Sequence, residues 1–204
     1  IYSDLGLSEK IAAKDVVFYR NGNTEANSGK DSKNVALTEA AIAKKAENKI
    51  GANGVLTQVW YDSDKGTAIV TMIDTYVGEI GSVVKATSSA DRYVNVTKVA
   101  NSAGTKNPGA LNTKFETEDF AKDQIVGYTY SKKSGENCIE SMVALEKVTG
   151  AMSAYTTEGS VTVGGTKYDA NKASEAEILN MSQTVDKGTD VTAYLDANGY
   201  ALYI

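Results

Sequence analysis

The stretch Leu56-Thr57-Gln58-Val59-Trp60-Tyr61-Asp62-Ser63-Asp64-Lys65-Gly66-Thr67-Ala68-Ile69-Val70-Thr71-Met72-Ile73 reads as a β-hairpin. Both arms are rich in β-branched and aromatic residues, which fit a pleated, half-buried surface. The polar run Asp62 to Gly66 between them supplies the turn. Strand-like runs of this kind dominate the chain. Upstream, Asp15-Val16-Val17-Phe18-Tyr19 is a strand followed by a turn at Asn21-Gly22-Asn23. The long helical pattern runs from Val35 to Ile50, with Leu37, Ala41, Ile42 and Ala46 on a narrow stripe, and Gly51 and Gly54 end it. Downstream, strands are expected at 76–85, 93–99, 124–131, 137–145, 148–155, 160–163 and 167–169. A short helix is expected at 174–181, where Ser174 and Glu177 have capping-box spacing. A final hairpin joins Asp190–Leu195 to Tyr200–Ile204 through Asp196-Ala197-Asn198-Gly199. Asn101–Lys114, with Gly104, Pro108 and Gly109, is expected to be a mobile loop.

The opening hairpin has an echo. Ala13-Lys14-Asp15 and Ala121-Lys122-Asp123 each open a strand, and Leu56-Thr57…Asp62…Gly66 matches Val191-Thr192…Asp196…Gly199. A second alignment sets Tyr61…Gly66 against Tyr130…Gly135 and Gly78 against Gly150. The first keeps more of the element order. It divides the chain into a small α+β module over residues 1–75, shortened relative to its sibling, and a β-barrel-like module over 76–204. The expected fold class is mainly β: small twisted β-barrel or sandwich modules with one or two short helices.

Composition narrows the chemistry. No histidine occurs in 204 residues, and there is one cysteine and one proline. Histidine is the usual proton carrier near neutral pH and the commonest metal ligand, so His-dependent triads, Cys–His pairs and zincin motifs are excluded. Lys and Arg total 21 against 26 Asp and Glu, a net charge of −5 with both signs interspersed. Nucleic acid would require a basic stripe, which is absent. With 12 Tyr against 3 Phe, many rings are expected to be half-buried with the hydroxyl in water. A single cysteine forms no intrachain disulfide, and Cys138, between Asn137 and Ile139, reads as a small apolar strand residue. No apolar run spans a membrane and no signal peptide is present. The start at Ile1 rather than Met suggests an excised fragment, with any targeting or anchoring segment outside it.

Several motifs invite chemistry, and each has a plainer reading. Asp62-Ser63-Asp64 begins like a calcium loop, but the fifth position is Gly66 and the twelfth is Ile73 rather than a bidentate Glu. Both it and Asp196-Ala197-Asn198-Gly199 read as turns. Val163-Gly164-Gly165-Thr166-Lys167 lacks Walker spacing and a following helix, so it reads as a tight hairpin. Glu116, Glu118, Asp119 and Asp123 form an acidic cluster; acid–base catalysis would need two of them face to face. Trp60 and the tyrosines offer rings for sugar stacking, although Trp60, between Val59 and Tyr61, fits a core as well as a ligand face. Asn95-Val96-Thr97 and Asn180-Met181-Ser182 match the glycosylation triplet, which arises often by chance.

Four runs occur in order: Ile73-Asp74-Thr75-Tyr76-Val77-Gly78, Ala121-Lys122-Asp123-Gln124-Ile125-Val126, Val161-Thr162-Val163-Gly164-Gly165-Thr166-Lys167-Tyr168, and Asp190-Val191-Thr192-Ala193-Tyr194-Leu195-Asp196-Ala197-Asn198-Gly199-Tyr200. Together they resemble the β modules of surface-layer-type proteins of Gram-positive bacteria, best from about residue 73 onward. In that family such modules commonly accompany S-layer homology anchoring repeats, which this chain does not contain. The resemblance implies a secreted, cell-wall-associated structural protein whose modules meet one another or further copies. It carries over no catalytic, cofactor-binding or metal-binding residue. The alternative expectation is a module binding carbohydrate or cell-wall polymer through an aromatic platform. A carboxylate-only glycosidase would need two facing acids in a cleft.

Overall fold

The computed structural model describes residues 12–13, 15–24, 35–36, 53–62, 64–65, 67–97 and 111–204. It is mostly β, with a single helix among the described residues. Contacts divide the chain into two units, one ending at Asp74 and one starting at Thr75.

The first unit contains β1 (Ala12–Ala13), β2 (Asp15–Arg20), β3 (Asn23–Thr24), β4 (Val35–Ala36), β5 (Leu56–Asp62) and β6 (Thr67–Ile73). The hairpin read from the sequence is present: β5 and β6 pair antiparallel from Leu56↔Ile73 to Asp62↔Thr67. The return strand β6 then pairs parallel with β2, giving the sheet order β3-β2-β6-β5. Phe18, Ala68, Val70 and Met72 are buried, so β6 turns every second side chain inward as its period of two requires. The expected helical pattern began at Val35. Val35 and Ala36 instead lie in β4, where their backbone groups form a ladder with β1. Residues 37–50 of that expectation lie outside the described residues.

The second unit opens with β7 (Tyr76–Val84), β8 (Tyr93–Thr97), β9 (Leu111–Asn112), β10 (Lys114–Glu116), β11 (Ile125–Lys133) and β12 (Glu136–Ala144). Their order is β10-β8-β7-β11-β12-β9. Only Thr113 separates β9 from β10, so one short segment forms both margins of the sheet. It lies parallel beside β12 on one side and antiparallel beside β8 on the other, which nearly closes a barrel. The expected mobile loop therefore ends in strand: Leu111, Asn112 and Lys114 form ladders, and residues 101–110 lie outside the described residues.

Next come β13 (Glu146–Tyr155), β14 (Val161–Val163), β15 (Thr166–Tyr168), α1 (Glu175–Gln183), β16 (Asp190–Leu195) and β17 (Ala201–Tyr203), with sheet order β15-β14-β13-β16-β17. Here too the ends approach. Asn171 N donates to Ala201 O at 2.7 Å, and Ala201 N donates to Asp169 O at 2.9 Å. A parallel bridge joins Ala170 to Ala201. Residues 76–204, read from sequence as one module, thus hydrogen-bond as two successive sheets of one design. β7 pairs with β8 and β11, and β12 lies parallel to β9; β13 pairs with β14 and β16, and Ala201 of β17 makes an isolated parallel bridge to Ala170, just past β15.

Each opening strand pairs with different neighbours along its two halves. β7 meets β11 over Tyr76–Glu79 and β8 from Glu79 onward, with a register shift between Ile80 and Ser82. β13 meets β16 over Glu146–Ala151 and β14 from Met152 onward, again with a shift, between Met152 and Ala154. A bulge supplies the extra bend and twist. At Gly150 a Cβ would stand 2.8 Å from Gly164 Cα, so only a residue without a side chain lets the β14–β15 turn approach.

The cores follow from alternation. Ile80, Val94, Val96, Val126, Tyr128, Ile139 and Met142 fill the first barrel, with Phe120 packed against them. Met152, Val161, Val163, Ala193, Leu195, Ala201 and Ile178 of α1 fill the second. The connection before the fourth strand plugs each barrel, with a helix in one and a turn in the other. In the helix-free case Arg92 donates to the backbone oxygens of Thr117, Asp119 and Phe120 at 2.5–2.6 Å, giving partners to carbonyls that no helix serves. The expected capping box at Ser174 is not formed, because Ser174 makes no side-chain cap bond. Asn171 Oδ1 instead accepts from Ala173 N and orders the approach to the helix. Between the barrels, Leu145 is the only residue separating β12 from β13. It packs with Val77 and Leu202, flanked by Ile125, Tyr194 and Tyr203, so the two sheets share an apolar seam.

Gly150→Val is expected to lower stability by about 1–3 kcal/mol through overpacking, measured by denaturant unfolding. Gly135→Ala, at a turn with open space around its Cα, tests the cost of positive φ alone. A second outcome concerns alkali. Burial pushes the Tyr128 phenol above its ordinary range. The native state therefore keeps this proton where the unfolded chain has lost it, and the stability it contributes below pH about 10 declines as pH rises further. Tyr128→Phe should flatten that decline, as followed by melting temperature between pH 8 and 11.

Candidate functional site

Counting outward from the turn at residues 62–66, the pairs Leu56/Ile73, Gln58/Thr71, Trp60/Ile69 and Asp62/Thr67 share the outer face of the β5–β6 hairpin. Their partners on the inner face include the buried Ala68, Val70 and Met72. Trp60 is 63% exposed, Leu56 53% and Ile69 44%, three of the exposed large apolar side chains of the protein. Trp60 thus faces outward rather than into a core. Beside it Trp60, Tyr61, Asp62, Thr67 and Ile69 line an open hollow of about 280 Å³. That is a little below the volume of small-molecule pockets, and it is a shelf rather than an enclosure.

The turn end of this face is fixed by Asp62. Its Oδ1 accepts from Asp64 N and Lys65 N at 3.1 Å each, and Oδ2 accepts from Lys65 Nζ at 2.9 Å. The Lys65 side-chain hydrogen bond, with the backbone bonds behind it, holds this carboxyl below the usual aspartate range. Asp196 repeats the device in the last hairpin. Its Oδ1 accepts from Asn198 N and Tyr200 N at 2.8 and 3.0 Å, and its Oδ2 accepts from Asn171 Nδ2 at 2.7 Å. Asp62 and Asp196 therefore each spend their carboxylate on ordering a turn. The far end of β6 carries a buried polar knot. Arg20 Nη1 donates to both carboxylate oxygens of Asp74 at 2.8 and 2.9 Å, Asn21 Nδ2 donates to Oδ2 at 3.1 Å, and Asp74 N donates to Asn21 Oδ1 at 2.9 Å.

The outer face of this hairpin differs from its counterparts. In the first barrel the outward pairs are polar: Thr129 and Ser141 hydroxyls share a hydrogen bond at 2.6 Å, and Glu140 accepts from Ser131 and from Lys133. In the second barrel Thr149 and Thr192 share one at 3.0 Å. Among the described residues the exposed large apolar side chains are Leu56, Trp60 and Ile69 on β5–β6 and Val143 on β12, so the apolar surface is concentrated on β5–β6.

The other residues singled out from sequence are dispersed. Glu116 pairs with Lys114 at 2.7 Å and Asp123 with Lys122 at 3.5 Å, and all four members of the acidic cluster are partly or wholly exposed. They sit along one connection rather than across a cleft. Gly164 and Gly165 have φ of 58° and 84° in a two-residue turn between β14 and β15, a hairpin rather than a phosphate cradle. Cys138 is half-buried in β12, opposite Ser131. Asn95 lies in β8 and donates to Ser82 Oγ at 2.9 Å. Among the described residues no group of three or more His, Cys, Asp or Glu is placed to hold a metal ion, and no helix is long and apolar enough to cross a membrane.

The sequence reading missed the pairing of Trp60 with Ile69, although the turn boundaries contain it: each step away from Asp62/Thr67 fixes one cross-strand pair. The structural roles of Arg92 and Asn171 left no local signal. No family model, curated protein or solved structure matches this chain.

Trp60→Ala is expected to change stability by no more than about 0.5 kcal/mol, since the ring is outside the core. Met72→Ala, from the buried face of the paired strand, should cost about 2–5 kcal/mol. Urea titrations of the two variants beside the parent chain measure the contrast.

Proposed function

We propose that this chain is a non-catalytic structural stretch of tandem β modules from a secreted, S-layer-like bacterial cell-surface protein. The observation that carries this reading is the repetition itself. In the hairpins β5–β6 and β11–β12 the return strand lies parallel to an earlier strand, and in β16–β17 it makes a single parallel bridge to Ala170. The next module then begins after two residues at Asp74-Thr75 and after one at Leu145. Modules joined without linkers, and sealed at Leu145 by an apolar seam, suit a spacer or layer component that acts through its shape. The resemblance of residues 73–204 to surface-layer β modules supports the same reading.

Antibodies against the purified chain should label intact, unpermeabilised cells that make the parent protein. Labelling that requires permeabilisation would refute the surface assignment, and reproducible hydrolysis of wall polymers by the chain alone would refute the structural one.

A second reading, binding of a cell-wall polysaccharide, is favoured specifically by the Trp60 shelf, since an exposed ring beside hydroxyl and carboxylate groups suits stacking on a sugar. Isothermal titration with secondary-wall-polymer fragments decides it: heat that disappears in Trp60→Ala supports binding at this shelf, and no heat above dilution eliminates it.

A further inference from the structure

The chain contains three Asn-Gly dipeptides, at 21–22, 53–54 and 198–199. Glycine has no side chain to shield its backbone nitrogen, so the amide carbon of a preceding asparagine can reach it. Asn53 directly follows residues outside the described ones; the other two asparagines are held in opposite ways. Asn21 is 3% exposed and its amide is gripped at both ends. Its Nδ2 donates to Asp74 Oδ2 at 3.1 Å, its Oδ1 accepts from Asp74 N at 2.9 Å, and its backbone N donates to Met72 O at 3.0 Å. The Asn21 amide cannot swing toward Gly22 without breaking both side-chain bonds. Asn198, by contrast, stands exposed at the tip of the β16–β17 hairpin. Gly199 has a φ of 82°, and a Cβ built there would meet nothing within 4 Å, so no neighbouring group crowds it. Its nitrogen donates to Asp196 O at 3.0 Å. That bond closes a turn at an exposed tip, where local opening costs least.

We propose that Asn198-Gly199 is a site of spontaneous backbone modification, and that its conversion loosens the closing strand β17. Gly199 N attacks Asn198 Cγ. The N–Cγ bond forms as the Cγ–Nδ2 bond breaks, and Nδ2 departs as ammonia with the proton that Gly199 N gives up. Water then opens the resulting cyclic imide at either carbonyl, leaving aspartate or isoaspartate at position 198. No oxidant or reductant enters. Isoaspartate routes the main chain through Cβ and lengthens the turn by a methylene. The turn is closely fitted to its present length: Asp196 Oδ1 accepts from Asn198 N and Tyr200 N at 2.8 and 3.0 Å, and Asp196 N donates to Tyr200 O at 2.9 Å. Immediately beyond lie Ala201 and Leu202, both fully buried. Ala201 packs in the core with Ile178 of α1, and Leu202 packs in the seam with Val77 and Leu145. A longer turn therefore pulls on both. The inference is independent of where the parent protein resides.

The test incubates the folded 204-residue chain, and the same chain in urea, at mildly alkaline pH. Peptide mass spectrometry maps the loss of ammonia, and enzymatic methylation of isoaspartate gives a second readout. In the folded chain position 198 should convert about tenfold or more faster than position 21, and in urea the two rates should converge. The converted folded chain should show faster amide exchange over Ala201–Tyr203, and Asn198→Ser carried through the same incubation should show no such change. Two results would overturn the site: conversion at position 21 as fast as at 198 in the folded chain, or conversion at 198 only in urea. Amides of Ala201–Tyr203 that exchange as before in the converted chain would overturn the coupling to β17.

Discussion

The opening strand of each barrel has to hydrogen-bond to neighbours that lie on different sides of the barrel, and the rest of the architecture depends on that requirement. A straight, regular strand cannot do this. β7 and β13 manage it with a register shift in mid-strand and with glycines where a side chain would collide with the approaching partner. Once the bend is made, the sheet wraps far enough for its fifth strand to reach the third, and parallel pairing removes the margins that would otherwise be open to other chains. The core then needs only alternation of apolar residues and a plug at one end, which α1 supplies in one barrel and the Arg92-bound turn in the other.

That economy bears on function. The reading advanced here needs no reactive centre; it needs modules whose ends fit together. Leu145, Val77 and Leu202 join one such pair of ends by apolar packing, and the polar Thr and Ser pairs on the outer faces of the later hairpins keep those surfaces in water. The β5–β6 hairpin carries more outward apolar surface, with Leu56, Trp60 and Ile69 exposed, than β11–β12, where Val143 is the exposed large apolar side chain. A shelf of that composition suits contact with a polymer or another strand.

Much of the strand map was legible because the signals are local. Alternation across Leu56–Ile73 and Asp190–Leu195, the Gly164-Gly165 turn and the Asp-led turns each depend on neighbouring residues, and each is found where the sequence places it. All three hairpins named in the two competing alignments form as antiparallel pairs. The short strands at Leu111–Asn112 and Lys114–Glu116 were not legible. Their Asn, Lys and Glu content has weak strand propensity, and their conformation comes from the two partners between which they lie.

The sequence by itself determined a mainly β chain rich in hairpins, without histidine and with one cysteine, with Asp-led turns and mixed-charge composition. These follow from residue type and spacing within a few positions. Only the tertiary structure decided that residues 76–204 pair as two successive sheets, the first nearly closed into a barrel, and that Trp60 faces outward. Those facts depend on which distant backbone groups pair, and a period of two shows that a strand has two faces without saying which one the core will cover.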